Sequence, residues 1–130
     1  MLDYFKGIIN QDKNPVVICN LEHEIIYMNP AAIVNYEKWG GRKLLGKNLL
    51  LCHNEKSQSR IEEVIKWFKD RKDNNLVYTS YDKKKNTDIY MVALRDEKDN
   101  LIGYYEKHEN RNGETMEMYD IHDKWGLVVK

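Results

Sequence analysis

The sequence predicts an α+β fold in which strands that follow one another along the chain are antiparallel neighbours. Apolar residues recur with a period of about 3.6 near the N-terminus and in the middle of the chain, and with a period of about 2 beyond Asp73. Short polar turns separate the extended runs, whereas a parallel crossover needs about a dozen residues or more. The predicted order is one helix, two strands, several helices and three strands.

The first part of the chain predicts a helix followed by a hairpin. Asn14 and Pro15 end the helix. Two apolar runs, 16–19 and 25–28, are separated by a short polar turn and therefore predict paired strands. The helix is amphipathic, because apolar residues recur at helical spacing at Leu2, Phe5, Ile8 and Ile9.

Helices are predicted for the middle of the chain. Asn29 before Pro30 indicates a helix start, because the Asn side chain can accept a backbone N–H and Pro has none to satisfy. This helix should end by residues 40–41, both glycine. The longest predicted helix, 60–72, begins at a capping box formed by Ser59 and Glu62. Its apolar stripe consists of Ile61, Val64, Ile65 and Phe68.

Three strands are predicted at 76–81, 89–94 and 101–108, joined by polar turns. Side chains of a strand alternate between its two faces, so one of two sets on the second of these strands faces the helices. The two sets are Ile89, Met91 and Ala93, or Tyr90, Val92 and Leu94.

The composition is that of one soluble globular domain. The chain has 130 residues, 42% of them hydrophobic and 32% charged, with 21 basic and 21 acidic side chains and a formal net charge of zero. A neutral chain lacks the long-range field that holds polyphosphates, which disfavours direct binding of nucleic acid or an anionic membrane. No apolar stretch approaches the ~20 residues that cross a bilayer.

The cysteines and the N-terminus favour a cytoplasmic location. Cys19 and Cys52 sit in apolar surroundings without CxxC spacing, so we expect both to be buried free thiols in a reducing compartment. The N-terminus lacks the basic start and long apolar middle of a secretory signal.

Four short motifs, in order, resemble those of PAS domains, over residues 12 to 110. Residues 14–18 (NPVVI) resemble the usual proline and first strand, and 26–32 (IYMNPAA) the end of the second strand with its helix start. Residues 45–48 (LGKN) resemble the break before the long helix, and 95–104 (RDEKDNLIGY) the hairpin between the last two strands.

The resemblance implies a five-stranded antiparallel sheet with helices packed on one face. It implies an N-terminal helix at 1–11, a PAS domain at 12–110 and a C-terminal extension at 111–130. The function implied is that of a sensory signalling module rather than an enzyme, with regulation of transcription as one candidate output. PAS folds bind haem, flavins, fatty acids, small carboxylates or nothing, so the cofactor stays open. A homodimer through the N-terminal helix is expected, although this helix could also fold back on its own sheet.

A cavity between sheet and helices would suit a small hydrophobic or aromatic ligand, and the alternative is a filled core without a cavity. For the predicted strand 89–94, we place the set that contains Tyr90 in the pocket. The candidate pocket residues are Ile18, Tyr27, Leu51, Cys52, His53, Ile61, Ile65, Phe68, Tyr90, Val92, Leu94 and Tyr104.

Rival functions remain open. A haem-based redox or gas sensor could use His53 or Cys52 as the iron ligand, but haem-binding PAS domains usually take it from the long helix, and residues 60–72 contain no histidine. The remaining histidines, His23, His108 and His122, are scattered, so we expect surface positions and no metal site. A ligand-free dimerisation module is a second rival, and a small enzyme, which needs a polar cleft with a titratable pair, is a third.

The C-terminal extension is apolar enough to dock on this domain or on a partner. The residues that carry this expectation are Tyr119, Ile121, Trp125, Leu127 and Val128.

Overall fold

The computed structural model describes residues 1–121. Trp125, Leu127 and Val128, which were expected to dock, lie outside the described residues, as does His122. The described chain forms three α-helices, three short 3₁₀ turns and five strands. Their bounds are α1 Leu2–Gln11, β1 Val16–Asn20, β2 Ile25–Met28, α2 Pro30–Asn35, 3₁₀ turns at Glu37–Trp39, Gly41–Leu44 and Leu49–Cys52, α3 Glu55–Asp70, β3 Leu76–Asp82, β4 Thr87–Arg95 and β5 Leu101–Asn110.

The five strands form a single antiparallel sheet in the order β2-β1-β5-β4-β3. The first two strands therefore pair with the last three through β1 and β5, whose register joins Val17 to Glu106 and Cys19 to Tyr104. The predicted fold class is confirmed. Each chain-sequential hairpin is antiparallel, as the short turns require.

One face of the sheet packs against the helices. We call this the inner face and the opposite one the outer face. Alternation along β4 turns Met91 inward and Tyr90 outward, and the buried cluster joins inward strand residues to Ala32 of α2 and Ile65 and Phe68 of α3. The inward strand members of this cluster are Val17, Cys19, Ile25, Met28, Met91 and Tyr104.

The helix start at Asn29 is confirmed. Its side-chain oxygen accepts the backbone N–H of Ala32 at 2.9 Å and that of Val16 at 2.9 Å, so one residue caps α2 and fixes the start of β1. Its amide nitrogen donates to the carbonyl of Ile9 at 2.9 Å and of Asn14 at 3.0 Å. Because Asn29 is fully buried, these four bonds tie α1, β1 and α2 together.

The predicted start of α3 at a Ser59 and Glu62 capping box is wrong. Asn54 caps the helix instead by accepting the N–H of Ser57 at 2.9 Å, so Ser59 lies inside the first two turns. An Asn side chain reaches the orphan N–H groups as well as a serine does, and the polar residues 55–59 are compatible with a helix.

Helix α1 has no buried residue, and Leu2, Phe5 and Ile8 are exposed. Its C-terminal end is held by the bond from Asn29 to Ile9 and by the Tyr27 hydroxyl, which donates to Asn10. In the C-terminal segment Tyr119 and Ile121 are exposed.

Two adjoining cavities at the inner face

Two cavities lie between the inner face and the helical segments. The larger has a volume of about 620 Å³ and the smaller about 450 Å³. Such volumes lie in the range of small-molecule sites. Both are lined by Val17, Tyr36, Leu49, His53 and Glu106, so they share one wall.

The larger cavity runs from β1 and β5 across β4 to the edge strand β3. Its walls are mainly apolar, with Ile61 and Val64 of α3 facing Met91 of the sheet. The exposed lining residues Arg60 and Glu63 of α3 give it a charged rim.

The smaller cavity lies beneath the 3₁₀ turns. Its described lining is apolar and aromatic, including Trp39, Leu44 and Leu51. Glu106 is the one acidic side chain in that lining, and no Lys or Arg from the described part of the chain lines it.

Glu106 is the polar centre of the shared wall. Its Oε1 accepts the Tyr36 hydroxyl at 2.6 Å and His108 Nε2 at 2.8 Å. Burial acts to raise the pKa of the Glu106 carboxyl, but the bonds from His108 and Tyr36 outweigh it, so the pKa lies below its ordinary value. An ionised carboxylate only accepts hydrogen bonds, so His108 Nε2 carries the proton in this pair.

Tyr36 reaches Glu106 from the C-terminal end of α2. Burial, and then the nearby carboxylate, raise the pKa of the Tyr36 phenol, so it stays a neutral donor. The hydrogen bond therefore joins α2 to the central strand β5.

A second polar group lines the larger cavity at Tyr104. Its hydroxyl is bonded to Nδ1 of His23 at 2.8 Å, and His23 sits in the β1–β2 turn in the left-handed conformation, with φ of 65°. The adjacent Cys19 thiol is buried, and this burial raises its pKa to about 12, so it is protonated.

Five of the predicted pocket residues line a cavity. Ile61 and Tyr104 line the larger one, Leu51 and Cys52 the smaller one, and His53 both. Cys52 is exposed, contrary to the expectation of two buried thiols, because the turn that carries it lies at the surface before α3. Cys19 is buried and free, as expected.

The remaining predicted pocket residues do not line a cavity, and their placement is corrected. Ile18 and Tyr27 are paired with each other, and Tyr90, Val92 and Leu94 alternate with Met91 on β4, so all five belong to the outer face. The inward set is Ile89, Met91 and Ala93. Ile65 and Phe68 also face the sheet, but their side chains are part of the buried core and do not line a cavity.

The expected surface positions of two histidines are also corrected. His108 is buried, because it alternates in phase with Tyr104 and Glu106 on β5, and His23 is half-buried against Tyr104. Sequence reasoning missed Tyr36 and Glu106. The sequence does contain a signal for Glu106. Tyr104, Glu106 and His108 are spaced two residues apart on one strand and therefore lie on the same face, so placing Tyr104 in the pocket also places Glu106 and His108 on the pocket side.

Over residues 1–121, no cluster of His, Cys, Asp and Glu could hold a metal ion. No helix of that part of the chain is long and apolar enough to cross a membrane.

Comparison with known proteins decides the family. A family described as PAS domain matches residues 13–106. The chain belongs to the PAS domain family. PAS domains are sensory modules and are generally not enzymes. No curated protein gives a significant match.

Solved structures share this fold at low identity. The PAS domain of a protein from Colwellia psychrerythraea is 15% identical, with a TM-score of 0.62, covering 84% of this chain and 95% of that one. A C-terminal domain from Streptococcus mutans is 18% identical, with a TM-score of 0.64, over 98% and 90% of the two chains. The Aer2 receptor from Vibrio cholerae, a dual PAS-haem oxygen sensor, is 17% identical, with a TM-score of 0.54, over 75% and 94%.

Proposed function

We propose that this PAS domain is a sensory signalling module that binds a small hydrophobic or aromatic ligand in the two adjoining cavities. The observation that carries the proposal is the shared wall, where apolar side chains surround a few polar groups: Tyr36, His53 and Glu106. Concave apolar sites with few polar groups are the usual form of small-molecule sites. Regulation of transcription is one candidate output of this module. The cytoplasm is its expected location.

The signal would travel from the cavity wall to α1. Glu106 binds Tyr36 at one end of α2, and Asn29 caps the other end of α2 while donating to Ile9 in α1. A ligand that displaces the Tyr36 hydroxyl would shift α2 and strain the Asn29 contacts. Only a ligand with different affinities for two packings of α1 can bias them, so α1 is the proposed two-state element.

Native mass spectrometry tests the binding function. The protein is isolated from its own cells and examined for a co-purified small molecule. We expect a bound molecule in the wild type and in Glu62→Trp, which places an indole on the exposed side of α3. We expect loss of the molecule in Val64→Trp, which fills the larger cavity.

An unliganded wild type would support the ligand-free dimerisation module instead. A molecule that stays bound both to a folded Val64→Trp protein and to a folded Leu49→Trp protein, whose indole would fill the wall shared by the two cavities, would place its site elsewhere. Either result would contradict the proposal.

A haem sensor is the second candidate, and His53 is the observation that favours it. His53 lines both cavities, and no hydrogen bond of its ring is formed with residues 1–121, so its nitrogen could bind iron. Cys52 is exposed and fits less well. The acidic Glu106 in the same wall disfavours an anionic porphyrin. Absorbance of protein from haem-supplemented cells should show a Soret band that His53→Ala removes, and without a band this candidate fails.

A further inference from the structure

The Glu106 carboxylate has one oxygen, Oε2, that receives no hydrogen bond from the described residues. Both of its hydrogen bonds to described residues, from Tyr36 and His108, end on Oε1. No donor within residues 1–121 reaches Oε2, yet no buried side-chain oxygen in that part of the chain lacks a partner. The Glu106 side chain keeps 22% of its surface exposed, and the residue lines both cavities.

The only basic side chain among the described residues that lines the smaller cavity beside Glu106 is the imidazole of His53. His108 donates one proton to Oε1, and no Lys or Arg lines that cavity within the described chain. In the larger cavity Arg60 lies on the exposed side of α3, three residues from the oppositely charged Glu63. The lowered pKa of Glu106 keeps its carboxylate ionised at neutral pH.

The remaining walls suit an organic body with a positive group. Val17 and Leu49 supply apolar surface between the two cavities, and Tyr36 and Trp39 line the smaller one with aromatic rings. A cation gains from aromatic faces as well as from a carboxylate, whereas an anion would be repelled by Glu106 and would have the His53 imidazole as its one basic neighbour in the lining of the smaller cavity within residues 1–121.

We propose that the ligand of this site is a small organic cation, a protonated amine or protonated nitrogen heterocycle on an apolar or aromatic body, whose N–H donates to Glu106 Oε2. The inference rests on the proposed ligand-binding function and adds the chemical class of the ligand. It excludes fatty acids and other carboxylates as the preferred ligand.

Three probes with one indole body test the charge preference by calorimetry at neutral pH: tryptamine is a cation, tryptophol is neutral and indole-3-acetate is an anion. We expect tryptamine to bind at least about tenfold more tightly than tryptophol, since a charge-assisted hydrogen bond replaces a neutral one, and indole-3-acetate to bind most weakly. The order of the three affinities is measured on the wild-type protein, so this test needs no variant.

Glu106→Gln keeps the side-chain shape and one acceptor for Tyr36 but removes the charge. We expect the affinities of this variant for tryptamine and tryptophol to differ by no more than about threefold. Glu109→Gln is the matched control, because it removes a carboxylate from the same strand outside both cavities and should leave the ranking unchanged.

Equal or tighter binding of tryptophol or indole-3-acetate overturns the cation inference while leaving a ligand cavity in place. The absence of binding by all three probes also overturns it. The proposed function is judged separately by the co-purified molecule and its loss in Val64→Trp, so the two failures are distinguishable.

Discussion

Glu106 shows how a single strand position places a charge inside this small domain. Its neighbours in the register are Val17 and Met91, both buried, so the carboxylate stands on the inner face between apolar side chains. The carboxylate is stabilised at this position because Tyr36 and His108 both donate hydrogen bonds to it. A half-buried carboxylate is tolerated when hydrogen bonds replace the hydration it loses.

The stability contributed by Glu106 should depend on pH. A carboxyl with a lower pKa in the folded state stabilises the fold above its unfolded pKa, near 4.5, and this contribution is lost as the pH falls through the folded pKa. We expect the difference in free energy of unfolding between wild type and Glu106→Gln to be full at about pH 6 and to shrink steadily below about pH 4. Urea unfolding at several pH values measures it, and a difference that grows on acidification would contradict the assignment.

Gly103 is required where β5 passes β1. A Cβ at this position would lie 2.3 Å from the carbonyl oxygen of Cys19, which is a backbone atom in the neighbouring strand. We expect Gly103→Ala to lower the free energy of unfolding by about 3 kcal/mol, because the central strand pair would have to separate. Gly113→Ala, with no atom within 4 Å of its Cβ, should change it by less than about 0.5 kcal/mol in the same urea titration. Equal effects would contradict the close approach.

At the scale of single residues, helix-capping residues can be predicted from the sequence more reliably than residues that line a cavity. Asn29 could be predicted because an Asn before a Pro has a local role that needs no tertiary information. Tyr36 and Glu106 could not, since a period of about 2 fixes which residues share a face but not which face turns inward. For the same reason Tyr90, Val92 and Leu94 were assigned to the wrong side of the sheet.

Among the α-helices of the described chain, α1 is the one with no buried residue. Leu2, Phe5 and Ile8 are exposed, and the helix is held to the domain at its C-terminal end through Ile9 and Asn10. We propose that a second copy of the chain covers the apolar side of α1, which is the homodimer predicted from the sequence. Full burial would contribute roughly 1.5–3 kcal/mol for each large apolar side chain.

Replacing both Phe5 and Ile8 with Asp should turn the dimer into a monomer, because two charges would be buried without partners. Light scattering should report twice the chain mass of 15.5 kDa for the wild type and one chain mass for this variant. Met118→Asp, at an exposed apolar residue outside α1, is the control and should stay dimeric. A monomeric wild type, or a variant that stays dimeric, would contradict the proposal.

The elements themselves could largely be predicted, because each has a clear period and a local boundary signal. The ends of the strands lie within two residues of the predicted ranges, and β2 coincides with its predicted range. The start of α3 was missed since Asn54 and Ser59 are both acceptable caps, and the choice between them depends on tertiary contacts such as the Gln58 bonds to the carbonyls of Leu50 and His53.

For the whole molecule, the arrangement that makes a sensor possible is the pairing of β1 with β5. It joins the two ends of the chain into one sheet and sets the helices over one face, where the cavities lie. The motif resemblance predicted this arrangement, whereas the cavities could not be predicted, because a filled core and a hollow one have the same apolar pattern.

Coupling between a bound ligand and α1 can be measured by comparing amide NMR spectra of the protein as isolated with those of the protein after unfolding, dialysis and refolding, which removes any bound molecule. We predict that the amides of Leu49 and Glu106 at the shared cavity wall differ between the two spectra, together with those of Ile9 and Asn10 in α1. The amides of the exposed turn 96–100 should coincide and so report correct refolding. Coinciding spectra throughout, or differences confined to the outer face around Tyr90, would contradict a ligand-binding cavity coupled to α1.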